Sequence, residues 1–426
     1  MRKQIRNMQS DWLGLLRQPR FRQFFLTRVA GSLAGRFLFT GIAWQVFHQT
    51  RDPFASGVLG LVEIIPVLAF ALVAGHVCDR YDRRSIAVIT RLGMLIASVM
   101  LLVFAILKLP VSLVLLAVGI LATIRTFYSP AIDNLLPRVV DEKHYREAVS
   151  WLSLGWQSAS VIGPVLAGII IGSGGHVWRV YIIEIVLGLV TAYGYAQLPK
   201  VAPEPPQETD EQGWRSALEG FSFLKTRPAL LAAISLDLFA VLLGGAAALL
   251  PAFADTVLKV GPVGLGWLQA SVNIGALLMS AYLARQPEMK QAGPAMLWAV
   301  GGFGIATIGF ALSTNIWLSA LCLFTLGALD AISVVIRSTM LLVQVPNRMR
   351  GRVSAFNDLF VGASNELGGF ESGLMARWVG LIRSVAIGGV MTLIVVAGTA
   401  IWVPSLRNLK RMEGTSGTDL ITDEAV

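Results

Sequence analysis

Several charged side chains fall inside long apolar stretches of this sequence, and five of them stand out: Arg36, Glu63, Asp237, Asp330 and Arg337. A charge at the centre of a membrane-spanning helix costs about 2.5–3.5 kcal/mol on insertion scales, so such residues mark ion pathways or binding sites. A carboxylate in apolar surroundings can carry a proton, and a guanidinium can hold an anion. These five residues are therefore candidates for binding a solute or a coupling proton.

The positions of these charges along the chain predict which of them meet. Arg36 lies near the middle of the first apolar stretch, and Glu63 lies at a comparable depth in the second. We predict an Arg36–Glu63 pair, and three roles for it stay open: a structural contact, a protonatable switch or an anion clamp. Asp330 and Arg337 are two helical turns apart and share nearly one helix face. Asp237 is a further candidate for proton binding.

The elements that carry these charges are predicted to be membrane-spanning helices. Of 426 residues, 55% are hydrophobic and 14% are charged, whereas soluble domains carry about 25% charged residues. The mean hydropathy is +0.66. Because a spanning helix needs roughly 20 mostly apolar residues, we predict twelve spans, of which the first and eleventh are unusually polar. They lie at 22–47, 56–78, 86–107, 111–131, 150–172, 177–197, 229–253, 262–284, 293–313, 316–343, 352–376 and 380–403.

The distribution of basic residues predicts the orientation of these helices. Most Lys and Arg outside the spans fall on the side of the N-terminus, which is the positive-inside pattern of an inner-membrane protein with both termini in the cytoplasm. The net charge of +9 therefore reflects topology and predicts no nucleic-acid partner. We predict a first six-helix bundle at 1–197, a cytoplasmic linker at 198–228 that contains VAPEPPQETDEQG, and a second bundle with a short tail at 229–426.

The loop after the second span carries the sharpest motif of the chain: Gly75, Asp79, Arg80, Arg83 and Arg84. A glycine permits close approach of two helices. A carboxylate at the membrane edge can pair with a helix N-terminus or an arginine. Basic residues that only anchor topology would leave the glycine and the aspartate unexplained. We therefore predict that this loop pairs with a helix end or an arginine at the membrane edge.

Two further spans contain unusual residues for a lipid-facing helix. In the fifth span, Gly163-Pro164 and Gly168 permit a kink and tight helix packing. In the eleventh span, Asp358 and Asn365 belong to a stripe of small and polar residues on one helix face. We expect this stripe either to line a cavity or to pack tightly against another helix.

A weak internal repeat links the two halves of the chain. A shift of 205 residues aligns Gly163 and Gly168 with Gly368 and Gly373, and it aligns Arg125 with Asp330. Two halves in the same orientation, joined by a linker, are the parallel-repeat plan of some secondary transporters. The predicted fold is an all-α membrane protein with twelve helices in two six-helix pseudo-symmetric bundles.

These motifs together resemble the major facilitator superfamily over essentially the whole chain. The loop is similar to the family's G-x-x-x-D-R-x-G-R-R signature, with Asp82 where the family usually has Gly. This resemblance implies that it is a gating loop, a latch that breaks when the cytoplasmic side opens. The fifth-span motif resembles the G-P-x-x-G-G motif of exporting antiporters, with Ala167 in place of one Gly. Arg125 resembles an arginine that many family exporters carry in the fourth span and that is implicated there in proton coupling. The segments FRQFFLTRVAGSL and VPNRMRGRVSAFNDLF are most similar to the branch that holds the enterobactin exporter.

The resemblance implies a secondary active transporter that performs proton-coupled efflux of a small amphipathic compound, siderophore-like or drug-like, by alternating access. An importer, a facilitator or a lysolipid flippase on the same fold is the alternative, and a non-transporting membrane sensor is a further one. The sequence contains no H-E-x-x-H, P-loop or G-x-S-x-G motif, so we expect neither an enzyme nor a cofactor. His and Cys spacing predicts no metal site, and the oligomeric state stays open.

Overall fold

The computed structural model describes residues 14–133, 135–199, 214–286, 289 and 291–409, and every regular element within them is helical. The helices of the first half are α1 Pro19–Thr50, α2 Pro53–Arg80, α3 Arg83–Ile106, α4 Val111–Asp133, α5 Tyr145–Gly172 and α6 Trp178–Ala196. A shorter helix, α7 Trp214–Lys225, follows. The remaining helices are α8 Pro228–Leu243, α9 Gly261–Leu283, α10 Ala292–Leu312, α11 Ile316–Gln344, α12 Asn347–Val379, α13 Leu381–Trp402 and α14 Pro404–Arg407.

The twelve predicted spans correspond to α1–α6 and α8–α13. Within the described residues, ten helices are long and apolar enough to cross a membrane. The other two are α1 and α12, which have 32 and 33 residues and are the two spans predicted to be polar. Charges inside these two helices lower their hydropathy without shortening them, so both remain long enough to span a bilayer of about 30 Å.

The seventh span was predicted as one continuous helix, but in the structure it is interrupted. Helix α8 ends at Leu243, and short helical turns follow at Ala246–Leu249, Leu250–Ala252 and Phe253–Val257. The break coincides with Gly244-Gly245, because adjacent glycines weaken a helix. A Cβ atom on Gly245 would lie 2.7 Å from the carbonyl oxygen of Gly368 in α12. The glycine pair therefore permits α12 to approach the backbone at this break.

The predicted linker contains one helix that the sequence reading did not include. Phe221 of α7 stacks on Phe356 of α12 with 5.4 Å between ring centroids, and Glu219 forms an ion pair with Arg352. Helix α7 is therefore attached to α12 by one apolar and one charged contact. The VAPEPPQETDEQG stretch lies outside the described residues.

The described residues form two compact units. The first contains 14–199, with the gap at 134, together with Ala254–Ala270, a segment that the sequence division assigns to the second bundle. In this unit α1 packs on α5 and α6, α2 packs on α4, and α3 packs on α4 and α6. The second unit contains the described parts of 214–253 and 271–409. There α8 packs on α12 and α13, and α10 packs on α11 and α13.

Four of the five helix pairs named for the first unit have an equivalent pair in the second unit, as the 205-residue repeat predicts. One contact repeats at the level of single residues. A Cβ atom on Gly163 would lie 2.6 Å from Cβ of Arg36, and one on Gly368 would lie 2.9 Å from the carbonyl oxygen of Val241. Gly368 and Val241 are each 205 positions after Gly163 and Arg36. The repeat thus preserves a close crossing between the first and fifth helices of each bundle.

Candidate functional site

Glu63 of α2 forms an ion pair inside the first unit, but its partner differs from the predicted one. Arg125 of α4 donates from Nη2 to Oε2 of Glu63 at 2.7 Å, and the Glu63 side chain is 8% exposed. The predicted Arg36–Glu63 pair is wrong, because α2 packs against α4 and thus brings Glu63 to Arg125. Arg125 is 42% exposed, so its pair combines a buried carboxylate with a guanidinium that a solute can reach.

Arg36 of α1 has an aromatic partner instead of a carboxylate. Its Cζ atom lies 5.2 Å from the ring centroid of Trp156 in α5, within the usual range of a cation–π contact. Among the described residues, no carboxylate lies within ion-pair distance of Arg36. Trp156 is itself 53% exposed. Arg36 therefore keeps its positive charge available beside an accessible indole ring.

The Gly163-Pro164 and Gly168 motif of α5 makes close backbone contacts on two sides. Gly163 faces Arg36 of α1. On the other side, a Cβ atom on Gly168 would lie 2.4 Å from the carbonyl oxygen of Pro262, and one on Gly266 would lie 2.4 Å from that of Pro164. Residues 262 and 266 belong to the Ala254–Ala270 segment of the same unit. The motif therefore lets α5 pack between α1 and this segment.

Replacing Gly163 by alanine is expected to destabilise the protein by about 1–3 kcal/mol, because the new methyl group would overlap Arg36 and separate α1 from α5. The matched control is Gly35→Ala on α1, where a Cβ atom would meet no atom of the described residues within 4 Å. Unfolding of the purified protein in mixed micelles should show a lower stability for Gly163→Ala only. Equal stability of the two variants would contradict the close crossing.

The second unit contains a buried cluster of two carboxylates and one guanidinium. Asp237 of α8 forms an ion pair with Arg337 of α11, and both side chains are nearly inaccessible. Ser333 donates a second hydrogen bond to Asp237 Oδ1 at 2.7 Å. The face of α11 that carries Asp330 and Arg337 thus points to α8. Arg337 pairs with Asp237 of α8 and not with Asp330 of its own helix.

Asp330 lies beside this ion pair without a direct partner of its own. It makes no hydrogen bond or ion pair with any other residue that the structure describes. A cavity of about 10 Å³ is lined by both Asp237 and Asp330, which is space for roughly one water molecule. The cluster therefore has one negative charge more than Arg337 balances whenever both aspartates are ionised. Binding of a proton at Asp330 would remove that excess.

The predicted gating loop connects α2 to α3. Arg80 is the last residue of α2, Arg83 begins α3, and the side chain of Asp79 lies outside the described residues. Arg84 donates to the carbonyl oxygen of Ala196 at the end of α6, where a cation complements the exposed carbonyl groups. A Cβ atom on Gly75 would meet no described atom within 4 Å. No described helix therefore packs closely against Gly75 in this structure.

Asp82 stands at the position where the family signature has Gly, and it caps α3. Its Oδ2 accepts hydrogen bonds from the backbone N–H of Ser85 at 3.0 Å and from the Ser85 hydroxyl at 2.6 Å. An aspartate at a helix N-cap satisfies a backbone donor that the helix leaves unpaired. Asp82, the residue that departs from the signature, therefore stabilises the start of α3.

The polar stripe of α12 combines the two predicted environments. Asp358 and Asn365 are exposed, and Asn365 donates to the backbone oxygen of Val361 at 2.8 Å. Gly369 and Ser372 are buried, and a Cβ atom on Gly369 would lie 3.1 Å from Cβ of Ala248. One half of the stripe is thus accessible, and the other half packs against the broken segment after α8.

A second buried ion pair was not identified from the sequence. Arg91 of α3 donates to Oε1 of Glu184 in α6 at 2.8 Å, and the two side chains are 1% and 0% exposed. The missing information was that α3 and α6 are adjacent, which hydropathy does not indicate. The pair joins α3 to α6 inside the first unit.

Comparison with known proteins agrees with this architecture. The Major Facilitator Superfamily model matches residues 24–369. The enterobactin exporter EntS of Escherichia coli O1:K1 / APEC is 27% identical over 346 residues, which cover 80% of this chain and 82% of that protein, and EntS of Shigella boydii serotype 18 gives the same values.

Solved structures of the same fold are similar at low sequence identity. A crystal structure of a mutant of the nucleoside transporter NupG has a TM-score of 0.71 and 14% identity, and the match covers 90% of this chain and 100% of that chain. A bacterial homologue of the human lysosomal transporter Spinster has a TM-score of 0.67 and 15% identity, with coverage of 92% and 99%. The predicted twelve-helix, two-bundle fold is confirmed. The chain therefore belongs to the Major Facilitator Superfamily, and it is a multi-pass membrane transporter rather than an enzyme.

Proposed function

We propose that this transporter exports a small amphipathic compound in exchange for protons, by alternating access of its two bundles. The basic residues support an inner-membrane location with both termini in the cytoplasm. Protons would enter down their gradient while the compound leaves. The gating loop with Asp79 would stabilise the state that is closed on the cytoplasmic side.

The observation that carries the coupling proposal is the unbalanced Asp237–Arg337–Asp330 cluster. Asp237 is held by Arg337 and Ser333, so it already has a cation and a hydroxyl as partners. Asp330 shares a small cavity with it and has no such contact within the described residues. A like charge nearby disfavours ionisation. Asp330 is therefore the carboxylate that we assign to the exchange of a proton during transport.

Arg36 and the Glu63–Arg125 pair support the binding of an amphipathic solute. The guanidinium of Arg36 offers a positive charge, and the exposed Trp156 ring beside it offers an apolar face. Arg125 can exchange Glu63 for a solute anion, because its guanidinium is partly exposed. The name of the 27%-identical enterobactin exporters supports a siderophore-like compound and the outward direction, as does the Gly163-Pro164 and Gly168 motif.

The test is accumulation of candidate compounds by inside-out membrane vesicles that contain the transporter and acidify their lumen. Siderophores, cationic dyes and lysolipids are screened for uptake into the lumen and for collapse of the pH gradient. We expect at least one compound to do both. Glu63→Gln should abolish both effects, because Arg125 loses its charged partner in an apolar bundle. Asp141→Asn is the control, since Asp141 is an exposed loop residue.

The other outcomes identify the alternatives. Uptake by right-side-out vesicles would indicate an importer. Movement of a compound without any effect of the gradient would indicate a facilitator, and gradient-independent movement of lysolipid between leaflets would indicate a flippase. A chain that binds a compound but moves none would be a sensor. Each of these results would contradict proton-coupled export.

A further inference from the structure

A cavity of about 800 Å³ lies in the first unit, apart from the charged groups described above. Its lining comes from the end of α1, the turn between α3 and α4, and the turn between α5 and α6. Helix α2 begins near this end at Pro53 and reaches the gating loop only after 28 residues, so the cavity and the loop are at opposite ends of the bundle. Small-molecule sites have volumes of roughly 300–1,000 Å³.

The wall of this cavity is aromatic and basic. Trp44 is buried and stacks on His48 with 5.3 Å between ring centroids. Trp178 contributes a second indole, against which His176 packs edge-on at 5.8 Å. Lys108 is exposed at the turn between α3 and α4. Among the described residues that line the cavity, none is acidic. The wall therefore favours a negatively charged ligand over a cationic one.

Gln45 supplies an unsatisfied polar group to the same cavity. Gln45 is 2% exposed, and its Oε1 accepts a hydrogen bond from the Tyr181 hydroxyl at 2.6 Å. Its Nε2 has no hydrogen-bond partner among the described residues. Exchanging the amide oxygen and nitrogen would only move the deficit to the other atom. A buried unsatisfied donor costs about 1–3 kcal/mol, and a ligand oxygen in the cavity would satisfy it.

We propose that this cavity is a binding site for an organic anion with a flat apolar body. Its acidic head would accept hydrogen bonds from Gln45 Nε2 and from the Lys108 ammonium group. Its body would lie between Trp44 and Trp178. An anionic phospholipid and a soluble aromatic acid share this chemistry. The site does not depend on proton-coupled export, because none of its residues belongs to the charged groups assigned to transport.

The test is calorimetric titration of the full-length protein in phosphatidylcholine nanodiscs with three naphthalene probes. These are 2-naphthoate, neutral 2-naphthylmethanol and cationic 2-naphthylmethylamine, which share one ring system and differ in head-group charge. We expect 2-naphthoate to bind most tightly. Lys108→Gln should weaken 2-naphthoate by about threefold, the effect of an exposed charge, and leave the neutral probe unchanged. Gln45→Leu should weaken 2-naphthoate by about tenfold, as one charge-assisted hydrogen bond is lost.

Lys259→Gln is the matched control. Like Lys108, Lys259 is exposed in a short turn with left-handed backbone geometry, and φ is 51° at Lys108 and 53° at Lys259. Lys259 does not line the cavity. Equal binding of the three probes, or equal effects of the two lysine variants, would overturn the proposal. Because both lysines are exposed, this comparison holds even if Gln45→Leu fails to fold.

The source of the anion is resolved by repeating the titration with phosphatidylglycerol in the nanodiscs. If phosphatidylglycerol weakens 2-naphthoate binding to the wild type and not to Lys108→Gln, the site takes an anionic lipid head group. If phosphatidylglycerol has no effect while 2-naphthoate still depends on Lys108, the site takes a soluble organic anion. Either result supports an anion site at this end of the bundle.

Discussion

Asp330→Asn is expected to reduce substrate-linked proton movement to the background of empty vesicles while the protein stays folded. Asparagine keeps the size of aspartate and cannot exchange a proton. Asp330 holds no described cation by a direct contact, because Arg337 is paired with Asp237, so the substitution leaves no guanidinium without its partner. The variant should still bind the compound and equilibrate it down its own gradient.

The measurement uses a pH-sensitive dye trapped inside proteoliposomes that contain the purified protein. Asp141→Asn is the matched control, because it makes the same change at an exposed loop residue. Substrate should change the internal pH with the wild type and with Asp141→Asn. Full proton movement by Asp330→Asn would contradict the assignment of this carboxylate.

Glu184→Leu is expected to destabilise the protein by about 3–5 kcal/mol, because it leaves the Arg91 guanidinium buried without its carboxylate. Arg91 and Glu184 are 1% and 0% exposed, so no solvent can replace the lost partner. Removing both charges together, by Arg91→Met with Glu184→Leu, should recover most of the stability, since the pair is then replaced by apolar side chains of similar size. Unfolding in mixed micelles measures all three proteins.

The control for this cycle is an ion pair near the surface of the same unit. Arg28 and Asp133 are 3.1 Å apart, with Asp133 64% exposed, so Asp133→Asn should cost at most about 1 kcal/mol. If the double variant is as unstable as Glu184→Leu alone, the loss of stability does not come from an unpaired Arg91 guanidinium. That result would contradict the buried pair.

The helices of this fold could be predicted from the sequence because bilayer thickness fixes the length of an apolar stretch. The prediction even included the two polar spans, α1 and α12, since periodic small and charged residues still left enough apolar length. The predicted continuous helix is wrong at Gly244-Gly245, where the sequence stays apolar although the helix ends at Leu243. Two adjacent glycines were the available signal, and average hydropathy does not register it.

The partners of the charged residues could be predicted only in part. Depth along two helices suggested Arg36 for Glu63, but depth does not determine which helices are adjacent or how each is rotated. Because α2 and α4 are adjacent, Glu63 pairs with Arg125. The Arg91–Glu184 pair was not predicted for the same reason, since the sequence does not indicate that α3 and α6 are adjacent. For α8 and α11 the sequence identified Asp237, Asp330 and Arg337 as candidates, and the structure supplied the pairing of Arg337 with Asp237.

The most direct test of proton-coupled export uses purified protein in proteoliposomes and a compound found in the vesicle screen. Its flux is measured with the lumen acidic, with equal pH on both sides, and with an acidic lumen plus a protonophore. Exchange with outgoing protons predicts accumulation above the external concentration only in the first condition. Equilibration to the external concentration at the same rate in all three conditions would contradict coupling and would make the chain a facilitator.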